Sequence, residues 1–172
     1  MKTLAAFALL AALVSVPAKA QKLNLDLNFD AIAKNAKEKT ELSLDGPLLD
    51  SLRQKLAKAG DKDHQALFAS IDQISVHNYE FENAGEYSDS DLDPLRKQVA
   101  GSAGWSRVLN VKEGTEDTQI YVSMQGDKPN GFLLINAEAK EVNVILVAGS
   151  IQLAQLKELI NSTIKFKELA QE

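Results

Sequence analysis

Residues 131–149, GFLLINAEAKEVNVILVAG, contain the pattern that decides the fold. Two apolar runs, Phe132–Ala137 and Val142–Ala148, flank a short polar tip, which predicts two β-strands joined as a hairpin. The second run carries apolar side chains on both faces, for example Leu146 on one and Ile145 on the other. A strand that is apolar on both faces must be covered on both sides, so we expect this hairpin in the middle of a sheet.

Working outward from the hairpin, the preceding segments alternate apolar and polar residues. Trp105–Val111 and Ile120–Met124 read as strands, with a loop over residues 125–130, and together with the hairpin they predict a four-strand antiparallel meander. Ile71–Phe81 and the short Thr40–Leu44 read as earlier strands. In Ile71–Phe81 the apolar parity switches partway, which indicates a bulge, or an outer half that meets something on its second face.

Helix start and stop signals separate these strands. Asp45–Pro47 predicts a helix start, because proline at the first helical position loses no hydrogen bond, and Gly60 predicts its end. Asp63 predicts the cap of a shorter turn, Asp93–Pro94 the start of another helix, and Ser150 the cap of a closing helix. We therefore predict an α+β fold with a mainly antiparallel sheet and helices packed on one face.

The chain divides into three parts. Residues 1–20 have a basic start, a short apolar run and an Ala-x-Ala end, which predicts a cleaved signal peptide and export to the periplasm or medium. For residues 21–41 we expect an N-terminal arm in which residues 23–29 are a strand or an extended arm and Asn28 caps a short helix over Asp30–Glu38; a mobile tail is the alternative. For residues 42–172 we expect a single α+β domain. After signal cleavage we expect no transmembrane segment.

Charge and cysteine content exclude several classes of function. Without Lys2 and Lys19, 17 basic residues stand against 24 acidic ones, a formal charge of −7, which argues against nucleic acid and anionic membranes as partners. The chain has no cysteine, so disulfides and thiol catalysis are excluded.

Motifs for metals, cofactors and catalysis fail on spacing. Asp89–Asp93 begins like a calcium loop, but Pro94 stands where glycine is required and Ala100 where glutamate is required. The two histidines, His64 and His77, lack zinc spacing, and no glycine-rich nucleotide loop follows a strand. We expect no metal, no cofactor and no catalytic residue that the sequence can name.

The order of motifs is similar to a known family. LDGPLL, DLDPLRKQ, Trp105–Val108 and the closing GFLLINAEAKEVNVILVAGSIQLAQL resemble the bacterial envelope family catalogued as domain of unknown function 4252, over roughly Leu42–Leu159. The resemblance implies a compartment and a fold. It brings no activity and no site residues.

Candidate binding residues share strand faces in two places. The types enriched at binding hot spots are tryptophan, tyrosine and arginine, and the weak candidates are His77, Tyr79, Phe81, Trp105 and Arg107. Residues 63–93 contain eight carboxylates and no lysine or arginine, which predicts attraction of a basic protein partner. We expect a non-enzymatic binding or interaction module; the alternative is a hydrolase that uses a carboxylate and a histidine.

Overall fold

The computed structural model describes residue 23 and residues 25–150 of the chain. This part contains helices and strands, numbered here in chain order. The helices are α1 Asp30–Ala33, α2 Gly46–Ala59, α3 Lys62–Ala69 and α4 Asp89–Gly101. The strands are β1 Glu38–Asp45, β2 Ile71–Glu80, β3 Trp105–Glu113, β4 Glu116–Gln125, β5 Lys128–Glu138 and β6 Glu141–Gly149. The predicted α+β class is confirmed.

The strands form one six-stranded sheet in the order β1-β2-β6-β5-β4-β3. Every neighbouring pair is antiparallel. Strands β3 to β6 follow one another in space as in sequence, so the predicted meander is confirmed. The hairpin β5–β6 lies at the centre of the sheet, as its two apolar faces require.

Helices cover both faces of the sheet, which corrects the expected single helical layer. On one side, here called the α4 face, Val144 and Leu146 pack in one cluster with Leu95 of α4. On the other side, the α2 face, Ile145 packs in one cluster with Leu49 of α2. The physical reason is already present in the central hairpin, because its apolar side chains on both faces need cover on both sides.

The N-terminal segment also packs on the α4 face. Leu25, Leu27 and Phe29 contact the cluster that contains Tyr79 of β2. The outer half of β2 therefore meets this segment on its second face, which accounts for the switch in apolar parity; the register irregularity of β2 lies at its start, beside Ile71. Helix α1 ends at Ala33, so it is shorter than the predicted Asp30–Glu38, and its N-cap is Phe29 and not Asn28. Residues 25–29 form no strand.

Two helix starts differ from the sequence-based expectation. Helix α4 begins at Asp89 instead of Asp93–Pro94, because Ser88 and Asp91 form a capping box in which Asp91 Oδ2 accepts the N–H of Ser88 at 2.8 Å. Pro94 therefore lies inside the helix. The cap of α3 is Asp61 and not Asp63, since the Asp61 carboxylate accepts the N–H of His64 at 3.2 Å.

The connection between β4 and β5 is tighter than expected. The predicted loop over residues 125–130 is a two-residue turn at Gly126 and Asp127, and β5 already begins at Lys128. Gly126 has φ +61°, which glycine adopts without steric cost. Strand β1, Glu38–Asp45, is longer than the predicted Thr40–Leu44. The closing helix expected after Ser150 lies outside the described residues.

Candidate functional site

The structure separates the predicted site residues into two groups. His77 and Tyr79 lie on β2, with Phe81 just beyond its end, whereas Trp105 and Arg107 lie on β3. Strand β2 is second in the sheet and β3 is last, with three strands between them. The residues therefore do not share one surface, and each group has its own surroundings.

The β2 group lies under the N-terminal segment. The ring of Phe29 stacks on His77 with a centroid distance of 4.2 Å. Tyr79 is 0% exposed and donates its hydroxyl to Glu41 Oε1 at 3.4 Å, and burial raises its pKa to about 12. Phe81 is buried, and its ring centroid lies 4.7 Å from that of Tyr87. These aromatic rings stabilise the core, so they offer little surface to a partner.

His77 has the hydroxyl neighbour that a hydrolase would need. Its Nε2 lies 3.0 Å from Ser75 Oγ, and its Nδ1 lies 3.8 Å from Glu41 Oε1, beyond hydrogen-bond range. Burial lowers the pKa of His77 against the opposing effect of the Glu41 carboxylate, which favours the neutral ring. Neither cavity described below is lined by these three residues. The hydrolase therefore stays a prediction.

The β3 group lines a cavity of about 350 Å³ between α4 and the last two strands of the sheet, here called the α4–β3 cleft. Helix α4 packs on this face through Leu95 and Val99, which are fully buried, and so positions its polar side facing β3. The residues that line the cleft are Asp93, Arg96, Lys97, Ala100, Trp105, Arg107 and Tyr121.

A buried polar row on β4 lies beside the cleft. The hydroxyl of Tyr121 donates to Gln119 Oε1 at 2.8 Å, and Gln119 Nε2 donates to Asp117 Oδ2 at 3.0 Å. All three residues are buried. Mutual hydrogen bonds offset most of the cost of burying these polar atoms, so the row holds its members in fixed orientations.

Arg96 connects helix α4 to this row. Its Nη2 lies 2.8 Å from Asp117 Oδ2 and 2.7 Å from Asp89 Oδ1. Burial by itself lowers the pKa of Arg96, but the hydrogen bond to Asp89 and the surrounding carboxylates raise it overall. The same bond lowers the pKa of the Asp89 carboxyl. Within the described residues, Arg96 Nε and Asp117 Oδ1 are buried and lack a hydrogen-bond partner.

Two other cations of the cleft, Arg107 and Lys97, differ from Arg96 in their ion pairing. Arg107 Nη1 donates to Gln119 Oε1 at 3.4 Å. Among the described residues no carboxylate lies within ion-pair distance of Arg107 or Lys97. The positive charge of Arg96 is balanced by Asp89, Asp93 and Asp117. Arg107 and Lys97 line the cleft without a carboxylate within ion-pair distance among the described residues.

Trp105 and Arg107 were predicted from the sequence, but the residues beside them were not. Arg96, Asp117 and Gln119 come from α4 and β4, and their contacts are made only in the folded chain. One signal was available: Asp117, Gln119, Tyr121 and Ser123 alternate on one face of an inner strand. Polar residues at buried strand positions are unusual and mark a site worth inspection.

The acidic residues of the stretch 63–93 do not form one surface. Asp89 and Asp93 pair with Arg96, and Asp91 belongs to the helix cap. A second cavity of about 590 Å³, here called the tip groove, lies at the hairpin ends of the sheet. Its charged lining consists of Glu80, Glu113, Glu116, Glu138, Lys140 and Glu141.

The described residues contain neither a cluster of metal ligands nor a membrane-spanning helix. Over this part of the chain no group of three or more metal-ligating side chains could hold an ion. The helices between residues 25 and 150 include none long and apolar enough to cross a membrane.

The fold and the cleft define an α+β protein with a central antiparallel sheet and a cationic, aromatic cavity at one edge. A family model described as Domain of unknown function (DUF4252) matches residues 33–159. The match covers more than half of the chain, so the chain belongs to this family, and the resemblance seen in the sequence is confirmed. No curated protein and no solved structure matches the chain.

Proposed function

We propose that this chain is a non-enzymatic binding module of the bacterial envelope and that the α4–β3 cleft takes an anionic group of its ligand. The observation that carries the proposal is a pair of cations, Arg107 and Lys97, that line a cavity of about 350 Å³ and have no carboxylate within ion-pair distance in the described part of the chain. A guanidinium group binds carboxylate or phosphate through two parallel hydrogen bonds, which suits an anionic ligand.

The surroundings of Arg107 favour binding over catalysis. Arg107 extends from β3 next to the buried row of β4, and its contact with Gln119 Oε1 limits the orientations of the guanidinium group. Trp105 and Tyr121 add aromatic surface to the same cavity, and aromatic residues beside arginine are frequent where binding energy concentrates. The cavity lining includes neither a histidine nor a hydroxyl paired with a base.

Export belongs to the same proposal. The basic start, apolar run and Ala-x-Ala end of residues 1–20 support a leader that directs the protein to the envelope. The absence of cysteine is compatible with an oxidising compartment, because burial alone can stabilise a domain of this size.

A titration with glutarate, a small dicarboxylate, tests the proposed site. Trp105 is the only tryptophan of the chain and lines the cleft, so its fluorescence reports binding there. Glutarate should give a saturable change, and Arg107→Gln should weaken its affinity on the order of tenfold, the loss expected for a charge-assisted hydrogen bond.

The control variant is Lys55→Gln, which removes an equal charge from an exposed position on α2, on the opposite face of the sheet. Its affinity for glutarate should equal that of the unmodified protein. Equal weakening in the two variants would mean that glutarate responds to overall charge and does not occupy the cleft.

The tip groove supports a second candidate, the basic protein partner expected from the sequence. Five glutamates and one lysine line it, and a surface of this charge accelerates association with a cationic partner at low salt. Tyr79, one of the candidate binding residues, is fully buried, so the contact energy would have to come from other side chains.

A further inference from the structure

We infer that strand β3 accepts an extended peptide as an additional strand, and that the peptide alternates acidic and apolar residues. This inference rests on the proposed anion binding and names the class of partner. It combines three observations: a bare strand edge, cations on one side of that edge, and apolar side chains on the other.

Over the part of the chain that the structure describes, the outer edge of β3 is uncovered along almost its whole length. In the described residues β3 has one neighbouring strand, β4, and its outer side faces no other strand. All its residues from Ser106 to Glu113 are exposed. In an antiparallel strand with one neighbour, alternate N–H and C=O groups point outward without a partner strand, and a further extended chain can bond to them.

The two sides of β3 have different chemistry. Arg107 lies opposite Tyr121 on the α4 face, next to the cleft. Leu109 and Val111 lie opposite Ile120 and Thr118 on the α2 face, 42% and 38% exposed. Successive side chains of an added strand also point to opposite faces. Acidic residues of the peptide would therefore meet Arg107, and apolar residues would cover Leu109 and Val111.

The opposite edge of the sheet is a poor site for the same peptide. Strand β1 carries Glu38, Glu41 and Asp45 against the single cation Lys39. An acidic peptide is repelled there, because like charges on adjacent strands destabilise their pairing. The charge difference between the two edges directs the peptide to β3.

A second copy of the chain fits β3 less well. A two-fold antiparallel pairing centred near Asn110 would match Leu109 with Val111 on the α2 face. On the α4 face it would bring Arg107 of each copy beside Lys112 of the other, because these residues share that face. Such like-charge contacts are unfavourable, although Lys112 already lies 3.6 Å from Asp89 Oδ2 and 3.5 Å from Asp117 Oδ2. An acidic residue of a peptide would instead pair with Arg107.

The experiment uses the full chain and two blocked peptides of about eight residues, one alternating valine and glutamate and the other valine and lysine. Affinity is measured from Trp105 fluorescence, and the site is mapped by hydrogen exchange of the β3 amides. We expect the glutamate peptide to bind and to slow exchange in β3, and the lysine peptide to do neither. Protection of β1 in place of β3 would overturn the inference.

Substitutions separate the two sides of the strand. Arg107→Glu should lower the affinity for the glutamate peptide on the order of tenfold or more. Leu109→Lys should also lower this affinity, because it removes an apolar contact on the α2 face. Lys55→Glu, on distant α2, should leave the affinity unchanged. Retained affinity in both β3 variants would show that the peptide binds elsewhere.

The outcomes also distinguish this inference from the proposed function. If glutarate binds in the cleft while neither peptide binds or protects β3, the cleft is an anion site and the strand-addition inference is wrong. If neither glutarate nor the peptides bind, both are wrong. If β3 is protected without peptide and the mass doubles with protein concentration, the occupant is a second copy and the inference is overturned.

Discussion

The central hairpin β5–β6 and the edge strand β3 are built from similar residues but have opposite environments. Leu146 of β6 is 7% exposed, whereas Leu109 of β3 is 42% exposed. Strand β3 contains three aliphatic residues between Arg107 and Lys112, yet only its first residue, Trp105, is buried. For the valine and leucine residues that both strands contain, the difference comes from position in the sheet and from where the helices lie.

Because of this difference in burial, the hairpin contributes mainly to stability, whereas β3 is available for binding. The hairpin is covered on both faces, and each buried aliphatic side chain there contributes about 1.5–3 kcal/mol relative to an exposed one. Strand β3 adds little burial beyond Trp105, and its outward groups are available for a ligand. The contrast can be tested with substitutions at positions of decreasing burial.

Leu146→Asp should have the largest effect. A lone carboxylate at this buried position costs several kcal/mol, against a total stability of roughly 5–15 kcal/mol. We expect little folded protein, measured by circular dichroism and by thermal melting.

The matched control is Leu109→Asp, the same substitution on the exposed strand β3, which should change the free energy of unfolding by about 0.5 kcal/mol or less. Similar melting temperatures for Leu146→Asp and Leu109→Asp would contradict the burial contrast between hairpin and edge.

Tyr79→Ala should have the next largest effect. Tyr79 is fully buried below the N-terminal segment, and truncation of a large buried aromatic residue costs about 3–5 kcal/mol. Urea unfolding should show this loss. Tyr79→Phe removes only the hydrogen bond to Glu41, at 3.4 Å, and should be nearly silent. A stable Tyr79→Ala protein would mean that the segment around Phe29 does not cover β2.

The fold was predictable where the signal is local. The hairpin, the meander and the α2 helix end at Gly60 follow from alternation and from start and stop residues within a few positions of one another. The start of α4 was wrong because two capping signals compete: Asp93–Pro94 is a valid start, but the Ser88–Asp91 capping box lies earlier and extends the helix by one turn.

The site was only half predictable for a physical reason. Trp105 and Arg107 are close in sequence and share a strand face, so their proximity follows from period two. Arg96 reaches Asp117 from a different element, 21 positions away, and no local pattern fixes how α4 is placed over β4. The sheet order likewise places β2 and β3 apart, which separates His77 from Arg107.

The smallest expected effect is that of His77 on the pH dependence of the free energy of unfolding. His77 is half-buried, so its exposure lies between that of the buried hairpin and that of the exposed strand β3. Burial holds its pKa in the folded protein below the ordinary value of 6.5. Between the folded and unfolded pKa values the unfolded chain binds more protons, so stability rises with pH there. The contribution of His77 is therefore complete above about pH 6.5 and is lost as the pH falls through the folded pKa.

Unfolding by urea at several pH values between about 7.5 and 5.5 measures this contribution. His77→Gln should flatten the pH dependence, because glutamine does not titrate and the other groups near the ring are Phe29, Ser75 and the Glu41 carboxylate. His64→Gln is the control variant, since it removes the other histidine and leaves this cluster intact. If the unmodified protein gains stability on acidification over this range while His77→Gln does not, the ring is protonated in the fold. In that case the Glu41 carboxylate outweighs burial, and the covered end of β2 is wetter than its contact with Phe29 indicates.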